Sequence, residues 1–304
     1  MNTDKFIEIC KMNQTNLKKY VAKQLEHTHD IILTGDGYVY AKGNFPVLLV
    51  AHMDTVHKNL PTIISYDSKS QTISSPNGIG GDDRCGIYMV LEVVKYFNCS
   101  VLFTEDEEIG GVGAEKFIKT KIASELEFNY MIEFDRANAN DAVFYDCDNP
   151  EFEKFITKEF YKTSWGSFSD ISILAPYVGC AAVNLSCGYY KAHTKDEYVV
   201  LPEMEKSIEA ACKILERTTE NDSFEYIESA CAGYYSRYGS YYGEDEYYEE
   251  KYYSVEYMNK NGSSEWFDTM AYTEAEAIGK FCMKHPDMTY GDIVEVYYMP
   301  DYAY

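Results

Sequence analysis

The chain has 304 residues, of which 46% are apolar, and 27 Lys and Arg face 50 Asp and Glu for a formal net charge of −23. That balance excludes nucleic acid as a partner, since no basic stripe exists to neutralise phosphates, and it disfavours anionic membrane surfaces. The length calls for one large domain plus a smaller one, and the apolar content is ample for a core.

Residues from Asp4 to Glu26 alternate charge with Phe6, Ile7, Cys10, Leu17 and Val21, which predicts an amphipathic helix. Ile31–Thr34 and Tyr38–Ala41 flank Gly35-Asp36-Gly37 and read as a hairpin. Pro46–Ala51 is a continuous apolar run of strand length, as expected for a strand buried on both faces. Two polar strand-like pieces follow near Thr62–Ser65 and Gln71–Ser74. After the turn Gly78–Gly81 a helix should begin near Arg84, with Ile87, Val90, Leu91 and Val94 on its apolar face. Ser100–Thr104 is a second buried strand, and Gly110, Gly111 and Gly113 turn the chain into a helix from Ala114. Tyr130–Phe134 is a third strand, ending at Asp135; Cys180–Cys187 is another, and Pro202–Arg217 reads as a closing helix. Strands and helices alternating at these lengths predict an α/β three-layer sandwich around a largely parallel mixed sheet.

Composition changes after Asp222. Eleven of the 30 tyrosines fall between Tyr226 and Tyr257, among acidic residues. Three parts are expected: a catalytic domain over 1–218, an acidic Tyr-rich connector over 219–250, and a small α+β domain over 251–304. The last reads as ββαβ: Tyr252–Tyr257 and Glu265–Asp268 around an Asn261-Gly262 turn, a helix opened by the capping box Thr273–Glu276 and ending before Pro286, and a strand over Ile293–Tyr298. It carries no catalytic signature, and a protein partner could bind through it. The nine cysteines are scattered, odd in number and without a CxxC pair, so buried free thiols in a reducing compartment are expected. Neither a signal-like N-terminus nor a membrane-length apolar run occurs, and a cytoplasmic protein is expected.

Five short segments carry chemistry: Ala51–Thr55, Gly81–Arg84, Glu105–Gly110, Glu133–Arg136 and Lys191–Thr194. Each lies at a strand end or at a turn into a helix, where a parallel sheet presents its functional residues. Two divalent ions held close together need one bridging carboxylate and terminal ligands on each side, and hydrolysis needs a base that is not itself a ligand. His52 can bind metal while Asp54 holds its other ring nitrogen. Asp82 is the expected bridge, with Asp83 as the alternative. In the adjacent pair, Glu108 is assigned as a ligand and Glu107 as general acid and base. Asp135 is the expected terminal ligand, with Glu133 competing for the role two residues back on the same strand face. His193 completes the set. His27 and His29 read as a solvated helix end, His57 as a surface or substrate-lining residue, and Gly110–Gly113 as a turn. Ser164–Asp170 is equally a substrate loop or a plain connector.

The segments Ala51–Val56, Gly80–Gly86 and Phe103–Gly110 resemble those of M20-type zinc peptidases, the peptidase T branch above all, and the Asp-Asp-Arg turn is similar to that of the related M42 aminopeptidases. The resemblance spans about residues 45–215. It implies one ion on His52, Asp82 and Asp135, another on Asp82, Glu108 and His193, and cleavage of short peptides with Glu107 activating a water between the ions. Zinc is the expected ion, and cobalt or manganese suits the same ligands. Two departures stand out. Such peptidases carry a lid domain of about a hundred residues before the last histidine, as the resemblance implies, yet only Arg136–Ala192 lies there, and it holds no histidine for the oxyanion. The C-terminal extension is outside the resemblance. An aminopeptidase is the leading expectation; a carboxypeptidase or N-acyl amino-acid deacylase would use the same groups, and a non-catalytic binding protein would act through the C-terminal domain.

Overall fold

In the computed structural model the described residues are 1–229, 251–271, 274–285, 288 and 290–299, with only the backbone described at 274–276, 283 and 290. They fall into two compact units. The first comprises Met1–Phe144, Asn149–Ser164 and Ser169–Ile227; the second, Tyr145–Asp148, Trp165–Phe168 and the chain from Glu228 onward.

In the first unit, strands β1 (Ile31–Gly35), β2 (Tyr38–Lys42), β3 (Phe45–His52), β6 (Cys99–Thr104), β7 (Tyr130–Arg136), β8 (Asp141–Val143), β9 (Lys162–Ser164) and β10 (Ala182–Ser186) form one sheet, in the order β1-β2-β6-β3-β7-β10-β8-β9. Its centre, β6-β3-β7-β10, is parallel, while β1, β2 and β6 pair antiparallel. The central strands are apolar on both faces because both are covered: Val47–Ala51 and Val101–Phe103 are fully buried. Each such Val or Leu contributes about 1.5–3 kcal/mol by burial.

Helices α1 (Thr3–Cys10), α2 (Gln14–Leu25), α3 (Gly81–Val93) and α7 (Leu201–Arg217) make one contacting group on the sheet. Helices α4 (Val112–Phe117) and α6 (Ile171–Val178) make another, and α5 (Pro150–Ile156) lies between β8 and β9 in sequence. A small sheet of β4 (Ser65–Asp67), β5 (Thr72–Ser74), β11 (Tyr189–Tyr190) and β12 (Tyr198–Val200) is ordered β11-β12-β5-β4. The fold is the α/β sandwich expected from the alternation of elements.

Several local readings change. The N-terminal pattern is two helices rather than one: Asn13 caps α2 by accepting from the Asn16 N–H, which breaks the run after Cys10. His29 is not a solvated helix end; it is buried, with Nε2 2.8 Å from the Cys99 carbonyl. The stretch between Asp135 and His193 supplies β8, α5, β9, α6, β10 and β11, and its segments Tyr145–Asp148 and Trp165–Phe168 group with the second unit.

The second unit contains an antiparallel sheet, β14-β13-β15, built from β13 (Lys251–Met258), β14 (Ser264–Ala271) and β15 (Ile293–Tyr298), with helix α8 (Glu274–Lys284) packed on it. Tyr253, Val255, Tyr257, Ala271, Ala277, Phe281 and Met288 form its core. Gly262, at φ +76°, turns the β13–β14 hairpin in a conformation that favours glycine. Thr273 of the capping box and residues 230–250 of the Tyr-rich connector lie outside the described residues. Among the described cysteines seven are free thiols, but Cys282 is disulfide-bonded, which departs from the all-thiol expectation. No helix among the described residues is long and apolar enough to cross a membrane.

Candidate metal centre

The sheet places polar residues where its parallel strands stop. β3 ends at His52, β6 at Thr104 just before the loop Glu105–Gly110, and β7 carries Asp135 at its C-terminal end. Asp82 and Asp83 open α3 with non-helical φ/ψ, so helical geometry starts only at Arg84. The Asp82–Asp83 peptide is cis. His193, at φ +63°, comes from the loop between β11 and β12.

These positions converge. Among the described residues two groups could hold metal ions: His52, Asp82 and Asp135, and Asp82, Glu108 and His193, the donor atoms in each lying within 4.8 Å of one another. Asp82 belongs to both. Its Oδ1 is 3.0 Å from His52 Nε2, and its Oδ2 is 3.1 Å from His193 Nε2. His52 Nε2 also lies 3.3 Å from Asp135 Oδ1, and His193 Nε2 lies 3.1 Å from Glu108 Oε2.

Asp54 and Glu107 stand outside both groups. Asp54 Oδ1 is 3.1 Å from His52 Nδ1, and the Asp54 carboxylate also accepts the backbone N–H of Glu107 at 3.0 Å and of Glu108 at 3.1 Å. One side chain thereby orients a histidine and the loop that carries Glu107 and Glu108. Helix α2 braces that loop from outside, since Lys18 Nζ lies 2.5 Å from Glu105 Oε2 and Gln14 Nε2 donates to Asp106 Oδ1 at 3.1 Å.

The protein's own charges act strongly on one another here. Burial alone would depress the His52 imidazole, but Asp135 and the hydrogen bonds to Asp135, Asp54 and Asp82 hold it well above the ordinary range. Burial also works against protonated His193, yet its bonds to Asp82 and Glu108 raise it to about 11. Burial would raise Asp82, but the two histidines hold it far below the usual carboxylate range. Burial and the charge of Asp82 push Asp135 up to about 6. The Glu107 carboxyl, in a residue only 8% exposed, is pushed well up by burial and by Asp135, Asp170 and Glu108 against the opposing pull of His52.

Two alternative ligands take other places. Asp83 accepts the backbone N–H of His52 at 3.1 Å and of Gly86 at 2.9 Å, so it ties the end of β3 to the start of α3. Glu133 is fully buried and accepts from the Ser169 hydroxyl, which also lies 3.2 Å from Asp135 Oδ2. Sequence reasoning missed several residues that hold the ligands. Arg84, almost wholly buried, donates to the carbonyls of Met53 at 2.7 Å and Asp54 at 2.9 Å. Tyr189 donates to the Asp135 carbonyl at 3.0 Å. Asn184 accepts the Asp135 N–H at 2.9 Å. His57, read as a surface or substrate-lining residue, pairs with buried Glu197 at 2.7 Å. Of the segment Ser164–Asp170, Trp165–Phe168 group with the second unit and Ser169 and Asp170 with the first.

Residues 35–168 match the model of Peptidase family M28. That span is under half of the chain and takes in His52, Asp54, Asp82, Glu107, Glu108 and Asp135; the match is to M28, where the motifs resembled the M20 type. The chain thus carries a peptidase-type hydrolase region. Among solved structures it is similar to aminopeptidase PepT from Bacillus cereus, at 14% identity and TM-score 0.59 over 70% of this chain and 97% of that one. A tripeptidase from Staphylococcus aureus aligns at 12% identity and TM-score 0.58 over 70% and 96%. The TET aminopeptidase from a marine-sediment Thaumarchaeota archaeon aligns at 15% and 0.57 over 73% and 99%. At these identities the likeness is one of fold. No curated protein sequence matches the chain significantly.

Proposed function

We propose that this chain is a two-metal exopeptidase that removes residues from the free amino end of short peptides. What supports the reading most is Asp82: one carboxylate shared by two donor groups, each completed by a histidine and a second carboxylate. The residues fit a pair of divalent ions. All donors are imidazole nitrogens or carboxylate oxygens, a set that suits zinc and also admits cobalt or manganese. Glu108 Oε1 is buried without a hydrogen-bond partner, leaving a lone pair for an ion.

One ion would rest on His52, Asp82 and Asp135, the other on Asp82, Glu108 and His193; bound there, ions polarise a scissile carbonyl and make water more acidic. Asp54 would fix the His52 tautomer by accepting the Nδ1–H hydrogen bond, which leaves the Nε2 lone pair free for an ion. Glu107 accepts a proton from the attacking water and returns it to the leaving amine. Burial raises its carboxyl, which favours its taking up that proton. The preference for the amino end rests on the motif resemblance and on the aminopeptidase fold. The motif likeness is to the peptidase T type, and cysteines outside any disulfide weigh toward a cytoplasmic location while the Cys282 disulfide weighs against it.

The test is hydrolysis of di- and tripeptides, free and N-acetylated, by protein loaded with Zn2+. Cleavage of free peptides only is expected. Cleavage of blocked peptides moves the activity to a deacylase or carboxypeptidase, and no cleavage by protein holding two ions refutes hydrolysis.

A further inference from the structure

The shared carboxylate of Asp82 has to be held in place by something, and its own helix does not do so. Asp82 lies in the kinked opening of α3, where the backbone is not yet helical and its N–H has no intrahelical acceptor. The group that receives that N–H is remote in sequence. Glu197, fully buried, accepts the Asp82 N–H on Oε1 at 3.0 Å and the Gly80 N–H on Oε2 at 2.7 Å, and His57 Nε2 meets Oε2 at 2.7 Å. Both oxygens are used, and the carboxylate spans the turn on either side of Gly81.

We infer that Glu197, steadied by His57, is the positioning residue for the metal-bridging aspartate. This rests on the two-metal reading above. The turn is closely packed at its glycines. A Cβ at Gly81 would lie 2.9 Å from both Tyr189 Cβ and Val199 Cγ2, and one at Gly78 would lie 2.1 Å from the His57 ring. Glu197 also stands on the loop that delivers His193, and its N–H bonds to the Thr194 carbonyl at 3.2 Å. One short loop therefore supplies a ligand for one ion and the clamp on the ligand shared by both. Displacing Glu197 should loosen both ions, whereas losing His193 alone removes a ligand from one.

Glu197→Gln keeps the size of the side chain but sets an NH2 group against one of three donors, so at least one contact becomes repulsive. The measurement is calorimetric titration of the full-length metal-free protein with Zn2+, together with the visible spectrum of the Co2+-loaded protein. Both report the ions in folded protein rather than turnover. The expected result is about 10- to 100-fold weaker binding of both ions, the usual effect of removing a group that orients ligands, with a changed Co2+ spectrum. Should Glu197→Gln fail to fold, His57→Ala is measured in its place; a severalfold loss in the same direction supports the inference, and unchanged affinity overturns it. Wild-type protein that takes up no ions overturns the two-metal reading and this inference with it. Wild-type protein that binds two ions, beside a folded Glu197→Gln that binds both as tightly with the same spectrum, overturns the inference alone.

Discussion

Replacing Glu107 with Gln separates holding metal from moving protons. Glu107 belongs to neither donor group, and its backbone N–H, which Gln retains, is what Asp54 grips. The loop and both ions should therefore stay in place. A positioned general acid and base contributes roughly 10²–10⁴-fold, so kcat/KM should fall by that factor, about 3–5 kcal/mol of barrier at 1.36 kcal/mol per decade. Stability should move the other way. Burial, Asp135, Asp170 and Glu108 raise the folded-state pKa of Glu107 despite the pull of His52. Its ionisation therefore opposes folding increasingly as pH rises above the unfolded value near ~4.3, up to the folded pKa. Metal-free Glu107→Gln should thus melt at or above the wild type at neutral pH. The assay pairs tripeptide hydrolysis with elemental analysis of bound metal and a melting curve of the metal-free protein. Turnover within threefold of wild type, at equal metal content, would refute the role given to Glu107.

Asp82→Ala should abolish binding of both ions, and His193→Ala should spare the ion on His52; metal stoichiometry by elemental analysis distinguishes them. Metal affinity should fall on acidification, because His52 well above the ordinary range and His193 at about 11 are protonated in the ion-free protein and must release those protons. The slope should approach roughly tenfold per pH unit for each proton released, read by titration in buffers of different ionisation heat. In the second unit, Phe281→Ala empties the centre of the β13–β15 core and should cost about 3–5 kcal/mol, measured by denaturant unfolding followed at the Trp266 side of the sheet.

What the sequence disclosed and what it hid divide along a physical line. β3, β6 and β7 were readable because a parallel strand covered on both faces becomes an unbroken apolar run, and their polar ends stand out against it. The ββαβ order of the second unit was readable from alternation and the Asn261-Gly262 turn. The stretch from Ala137 to Gly179 was not, because β8 and β9 are three residues long and α5 only seven. One signal there was available: Asn149 before Pro150 is a helix start, and the Asn149 side chain does accept the Phe152 N–H. The roles of Asp83, Glu197 and Tyr189 were hidden for another reason. Most of their partners are backbone groups, the Asp135 carbonyl and the N–H groups of His52, Gly80 and Asp82 among them, and a backbone N–H or carbonyl has no letter in the sequence. Arg84 was visible only as part of a motif, since its acceptors are likewise main-chain carbonyls.

The grip of α2 on the loop Glu105–Glu108 sets an order of events under stress. Lys18 and Gln14 reach that loop, which carries Glu107 and Glu108, from α2, while His52 and Asp135 rest on the buried strands β3 and β7. Local opening begins where few buried contacts hold a segment. The loop is part-exposed from Glu108 to Gly110, so warming or mild denaturant should loosen it before the buried strands of the sheet. Catalysis would then be lost before the fold, and would return on cooling without refolding of the core.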